Sequence, residues 1–97
     1  MTATPQPVTL AHRVHQSSEV LVQEIGGEAV LLDLESERYF GLDPVGTRGW
    51  QLFADEPTLE QVHRTLCEEF EAEPDRIASD LLLLVGQLSE AGLIKVA

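Results

Sequence analysis

ERYFGLDPVGTRGW, residues 37–50, changes its period halfway along. Arg38, Tyr39, Phe40 and Leu42 suit an extended strand, where aromatic side chains sit well on a pleated surface. Asp43 then offers a capping oxygen, and Pro44 falls at the first helical position, where its missing N–H costs nothing. The run predicts a strand ending at Leu42 and a helix from Pro44 to about Phe53. Gly46, Gly49, Trp50 and Phe53 share one side of that helix at spacings of three and four. Glycine inside a helix costs roughly 1 kcal/mol relative to alanine. Two of them on the Trp face are read as packing devices that press the helix onto neighbouring backbone.

Upstream, residues 19–42 read EVLVQEIGGEAVLLDLESERYFGL. Two apolar runs, VLVQEI and AVLLDL, flank Gly26-Gly27, a pair that tolerates the positive φ of a tight hairpin turn. A polar break at Glu35–Glu37 separates the second run from RYFGL. Three short strands in an antiparallel meander follow. Downstream, Thr58 and Gln61 form a capping-box pattern, and Leu59, Val62, His63, Leu66 and Phe70 recur at helical spacing. A third helix starts near Pro74 and Asp75 and stops at Gly92, and LIKV ends the chain as a short extended piece. The order β-β-β-α-α-α defines an α+β fold: a three-stranded antiparallel sheet followed by three helices, in winged helix-turn-helix-like outline.

The 97 residues make one domain with one modest core. Residues 1–18 are expected to be a flexible N-terminal segment, Met1–Pro7 with its two prolines above all, and 19–97 the folded domain. Six Lys and Arg face 17 Asp and Glu, a formal net charge of −11. That balance disfavours nucleic acid and anionic membranes and favours a basic, peptide-like partner, although acidity also serves solubility. The single Cys67 forms no internal disulfide, no signal peptide is visible, and Leu81–Val85 is far too short for a bilayer, which needs about 20 apolar residues. A cytoplasmic protein is expected.

Catalytic chemistry finds no support. His12 and His15 lack a third metal ligand at suitable spacing, and His63 reads as an edge-of-core residue. Cys67 is followed by two glutamates, which raise a thiol pKa, and reads as a small helix filler. Glu68, Glu69, Glu71 and Glu73 read as a solvated face, and no glycine-rich phosphate loop is present. No metal or cofactor is expected. Two features do stand out. RYFGL is an edge in a sheet of order 1-2-3, with aromatics where natural edges usually carry lysine or proline. The third helix is more apolar than one buried face requires. Ile77, Leu81, Leu84 and Leu88 make its core stripe, Ala78 and Val85 widen it, Leu82 sits to the side and Leu83 nearly opposite. Either the helix is central to a small core, or its flank lines a groove beside the edge strand.

AVLLDLESERYFGLDPVGTRGWQLF, followed by an acidic helix and a Leu-rich one, resembles the PqqD-like peptide chaperones, or RiPP recognition elements. The resemblance spans roughly Glu19 to Val96, its most specific piece lies between Tyr39 and Trp50, and its pattern is most like the stand-alone leader-binding proteins of lasso-peptide biosynthesis. It implies a domain that binds the leader of a ribosomally made precursor peptide as an added strand. Carried onto this chain, the edge is Glu37, Arg38, Tyr39, Phe40, Gly41 and Leu42, and the groove wall is Ile77, Asp80, Leu81, Leu84 and Val85. The implied partners are a leader-cleaving cysteine protease and the cyclase that follows it. Two alternatives stand beside this reading. One is the same fold in another modified-peptide or quinone-cofactor pathway with a radical enzyme. The other is a DNA-binding winged helix, for which Arg64, Arg76 and Lys95 supply very few cations.

Overall fold

The computed structural model describes residues 8–55 and 57–97. A short strand, β1 (Val14–Gln16), precedes a meander of β2 (Val20–Ile25), β3 (Glu28–Asp33) and β4 (Tyr39–Gly41). Helices α1 (Pro44–Leu52), α2 (Leu59–Glu69) and α3 (Pro74–Glu90) follow, with a single 3₁₀ turn at Phe53–Asp55 after α1, and β5 (Ile94–Val96) closes the fold. The meander is an antiparallel sheet of order β2-β3-β4, so β4 is an edge, as the sequence leads one to expect. Gly26 and Gly27, at φ 62° and 83°, close the β2–β3 hairpin in the left-handed region that glycine enters without a Cβ penalty.

The sheet has two unlike faces. Val22, Leu31 and Phe40 lie in register across the three strands, and Leu31 is fully buried under the helices. The neighbouring row Leu21, Leu32 and Tyr39 points the other way, where Leu21, Ile25, Val30 and Tyr39 are exposed.

The strand-to-helix junction is built as the residue types demand. Asp43 caps α1 by accepting the Gly46 N–H at 2.7 Å. Thr47, one turn in, is buried; its Oγ1 accepts the Ala29 N–H at 2.8 Å and donates to the Leu42 carbonyl at 3.4 Å. The Leu42 N–H in turn donates to the Ala29 carbonyl at 2.8 Å. One hydroxyl thus substitutes for the last rung of the β3–β4 ladder and fastens α1 to it. Trp50 and Phe53 meet edge to face, centroids 6.3 Å apart, at the core end of α1.

Thr58 and Gln61 form the expected reciprocal capping box on α2. Its buried side, Leu59, Val62 and Leu66, packs with Ile77, Leu81, Val85 and Leu88 of α3 in one core that includes Val14, Phe53, Leu93 and Ile94. His63 does lie at the edge of this core: its Nε2 is 2.8 Å from the Pro74 carbonyl and ties α2 to the first turn of α3.

The N-terminal boundary differs from the expectation of a flexible segment through residue 18. Met1–Pro7 lie outside the described residues, but Val14 is fully buried and β1 pairs antiparallel with β5, Val14 opposite Val96. Arg13 and Ala97 exchange backbone hydrogen bonds at 2.8 and 2.9 Å, and Gln16 donates to the Trp50 carbonyl at 2.7 Å. A three-residue strand carries too little alternation to be legible, and its partner lies at the far end of the chain.

Candidate functional site

The exposed side of β4 follows from the parity of its ladder. In antiparallel pairs, successive residues alternate between bonding the neighbouring strand and facing away. The Asp33 N–H donates to the Arg38 carbonyl and the Leu42 N–H to the Ala29 carbonyl, so even-numbered residues face β3. Phe40 therefore belongs to the inner ladder opposite Leu31. Tyr39 and Gly41 turn their N–H and C=O groups to the open edge, and the extended Asp43 (φ −71°, ψ 176°) continues the series with its N–H.

The edge is shorter than Glu37–Leu42. Glu37 and Arg38 precede β4 in the link from β3. Glu37 sits at φ 61°, an uncommon geometry for a residue with a Cβ, and donates its N–H to the Asp33 carbonyl. Asp33 organises this turn: Oδ1 accepts the Glu35 N–H at 3.0 Å and Oδ2 accepts the Ser36 hydroxyl at 2.7 Å. The Ser36 hydroxyl first, then the Glu35 N–H, hold the Asp33 carboxyl below its ordinary value of 3.8. Because the folded value is the lower one, Asp33 supports the turn fully above the ordinary carboxylate range and loses that support as pH falls through its own value. The melting-temperature difference between wild type and Asp33→Ala should be constant from pH 8 to pH 5 and shrink only in stronger acid. A gap that closes near neutral pH would rule the carboxylate out as the turn's anchor.

Between the end of β4 and α3 runs a groove of about 630 Å³. Gly41, Leu42 and Asp43 form its strand side, Val45 and Gly46 its end on α1, and Leu66 and Ala72 extend it toward the α2–α3 turn. From α3 come Arg76, Ile77, Asp80, Leu81, Leu83, Leu84 and Gln87. Ile77 and Leu81 are nearly buried and present only their edges to it. Asp80 stands on the exposed rim, 3.9 Å from Arg76, a solvated pair of little energetic weight.

On α3 the expected groove wall loses Val85, and Leu84, expected both in the core stripe and in the groove wall, falls on the groove side. Val85 is fully buried and does not line the groove, whereas Leu84 is half-buried and does. At about 100° per residue, the buried set Ile77, Leu81, Val85 and Leu88 centres about 55° from Leu84, which leaves Leu84 on the flank. Leu83, 64% exposed, lies further round the same flank and joins the groove. Asp43, Val45, Gly46, Leu66, Ala72, Arg76, Leu83 and Gln87 also belong to the lining and were not among the expected site residues; the coincidence of a cap residue and a glycine beside an open edge was the available signal.

The chemistry on offer is backbone pairing along one side and apolar contact along the other. Among the described residues, no cluster of His, Cys, Asp and Glu is placed to hold a metal ion. No described helix is long and apolar enough to cross a membrane. The face of α3 that borders the groove presents one cation, Arg76, a poor match to phosphates.

Comparison with known proteins finds a family and solved structures that this chain resembles. The model of the family "Coenzyme PQQ synthesis protein D (PqqD)" matches residues 28–94. Among solved structures, TbiB1 in complex with the TbiA(β) leader peptide is 31% identical, with a TM-score of 0.75 over 84% of this chain and 94% of that one. Lasso peptide synthetase B1 complexed with the leader peptide is 27% identical, with a TM-score of 0.72 over 84% of this chain and 95% of that one. No curated protein matches.

Proposed function

The chain belongs to the PqqD family, and from that premise we propose that it binds the leader of a ribosomally made precursor peptide as a fourth strand on β4. One observation carries the reading: the open edge that starts at Tyr39 continues through Gly41 and Asp43 along the mouth of a largely apolar groove walled by α3. A strand added there gains backbone hydrogen bonds on one side, while its alternate side chains turn toward Leu81, Leu83 and Leu84. The two similar structures, at 31% and 27% identity, are complexes with a leader peptide, which supports leader binding by this chain. The functional unit then runs from β1 to β5, and the chain contributes binding and positioning while a partner enzyme supplies the chemistry.

That partner is a leader-cleaving cysteine protease, followed by the cyclase of the pathway. The outer face of the sheet, with Leu21, Ile25, Val30 and Tyr39 exposed, is the surface we assign to the protease. A leader strand on β4 would extend this very sheet, so the protease would meet bound leader and apolar face together. The same fold serving a radical enzyme in another peptide pathway is separated from this reading by the genes adjacent to this one.

Fluorescence anisotropy with labelled leader and labelled duplex DNA at physiological salt tests the core of the proposal. Leader should bind at micromolar affinity or better and DNA should not; binding to DNA alone would sink the reading. For the second surface, Val30→Glu should leave leader affinity unchanged and weaken capture of the protease by the complex. Undiminished capture would move the protease to another face.

A further inference from the structure

We propose that Gly46 sets the depth of the groove and thereby the size of the leader side chain it can seat, an inference that rests on the leader-binding reading above. A Cβ placed on Gly46 would lie 3.1 Å from Asp43 Oδ1, 3.4 Å from Leu84 Cδ2 and 3.6 Å from Leu42 Cβ. All three of those residues line the groove, as Gly46 itself does. The absent methyl is therefore missing from the groove wall. Gly49, one turn along, differs: it does not itself line the groove, and its Cβ would meet only Leu81 Cδ1, at 4.0 Å, an ordinary contact.

What yields to an added methyl decides its effect. Asp43 Oδ1 is held by the Gly46 N–H at 2.7 Å as the cap of α1, so it has little freedom. Leu84 is half-buried, and the end of its side chain can rotate. Displaced from Gly46, it moves along the wall of the groove. Alanine at 46 thus narrows the site twice, through its own methyl and through Leu84. With glycine, the space bounded by Leu42, Val45, Leu81 and Leu84 takes a side chain of leucine or aromatic size. With alanine it takes one the size of alanine or valine.

The test uses a phage library of random nine-residue peptides selected against the wild-type chain, Gly46→Ala and Gly49→Ala, each shown to be folded by circular dichroism. Wild type and Gly49→Ala should enrich the same large apolar residue at one position, and Gly46→Ala a smaller one. A synthetic peptide made from the wild-type selection should bind Gly46→Ala roughly tenfold more weakly, the scale on which hydrophobic pockets discriminate a methylene. Leu84→Ala, which opens the same wall from α3, should shift selection toward bulkier residues and serves if Gly46→Ala does not fold. Identical size preferences across the folded variants would overturn the assignment of Gly46 and leave leader binding standing. If wild type enriches no peptide at all, leader binding itself fails.

Discussion

Proline at Gly41 should lower leader affinity on the order of 10–100-fold and leave a folded protein, because it deletes a donor that faces the open edge. A Cβ at Gly41 meets nothing within 4 Å, and Phe40 before it is in a strand, the extended geometry a residue preceding proline prefers. Proline at Phe40 should act differently. Its N–H faces Leu31, so the change breaks the inner ladder and also removes a side chain packed against the core. Phe40→Pro should lower the melting temperature sharply, and any loss of binding would follow from loss of the sheet. Isothermal titration with leader, paired with thermal melts followed by circular dichroism, separates the two. A folded Gly41→Pro protein with wild-type affinity would show that the leader docks somewhere other than this edge.

On α3 the expectation concerns two leucines four residues apart. Leu88 is fully buried, so Leu88→Ala should cost about 2–5 kcal/mol through lost contacts and the cavity left behind. At about 4–8 °C per kcal/mol for a domain of this size, the melting temperature should fall by about 8 °C or more. Leu84 is only half-buried and borders the groove. Leu84→Ala should cost distinctly less stability and should weaken leader binding. Equal destabilisation by the two changes would return Leu84 to the core.

Much of this was legible in advance because the relevant signals are local. Asp43-Pro44, Thr58 with Gln61, and Gly26-Gly27 act within a few residues of chain, and each appears in the structure as a cap or a turn. The edge position of β4 followed from the order of three consecutive strands. What escaped is non-local or fine in angle. The β1–β5 pair joins residues from opposite ends of the chain, and nothing in VHQ or IKV announces the other. Leu84 and Val85 differ by one helical step, and in a run of four leucines and a valine hydrophobicity alone does not say which side meets the neighbouring helix. The parity of β4 hinges on which residues of β3 it pairs, a register set by the turn around Asp33 and the positive φ of Glu37.

The pairing of β1 with β5 has a topological consequence. Arg13 and Ala97 are hydrogen-bonded to each other in both directions, so the chain enters β1 beside the point where it leaves β5. Splicing the domain into a surface loop of a larger polypeptide, or permuting it circularly, would join it at these adjacent points, provided the bonds from Leu10 and His12 to the start of α2 are kept. None of the residues in β1 or β5 lines the groove, so either operation would leave the peptide-docking edge unobstructed.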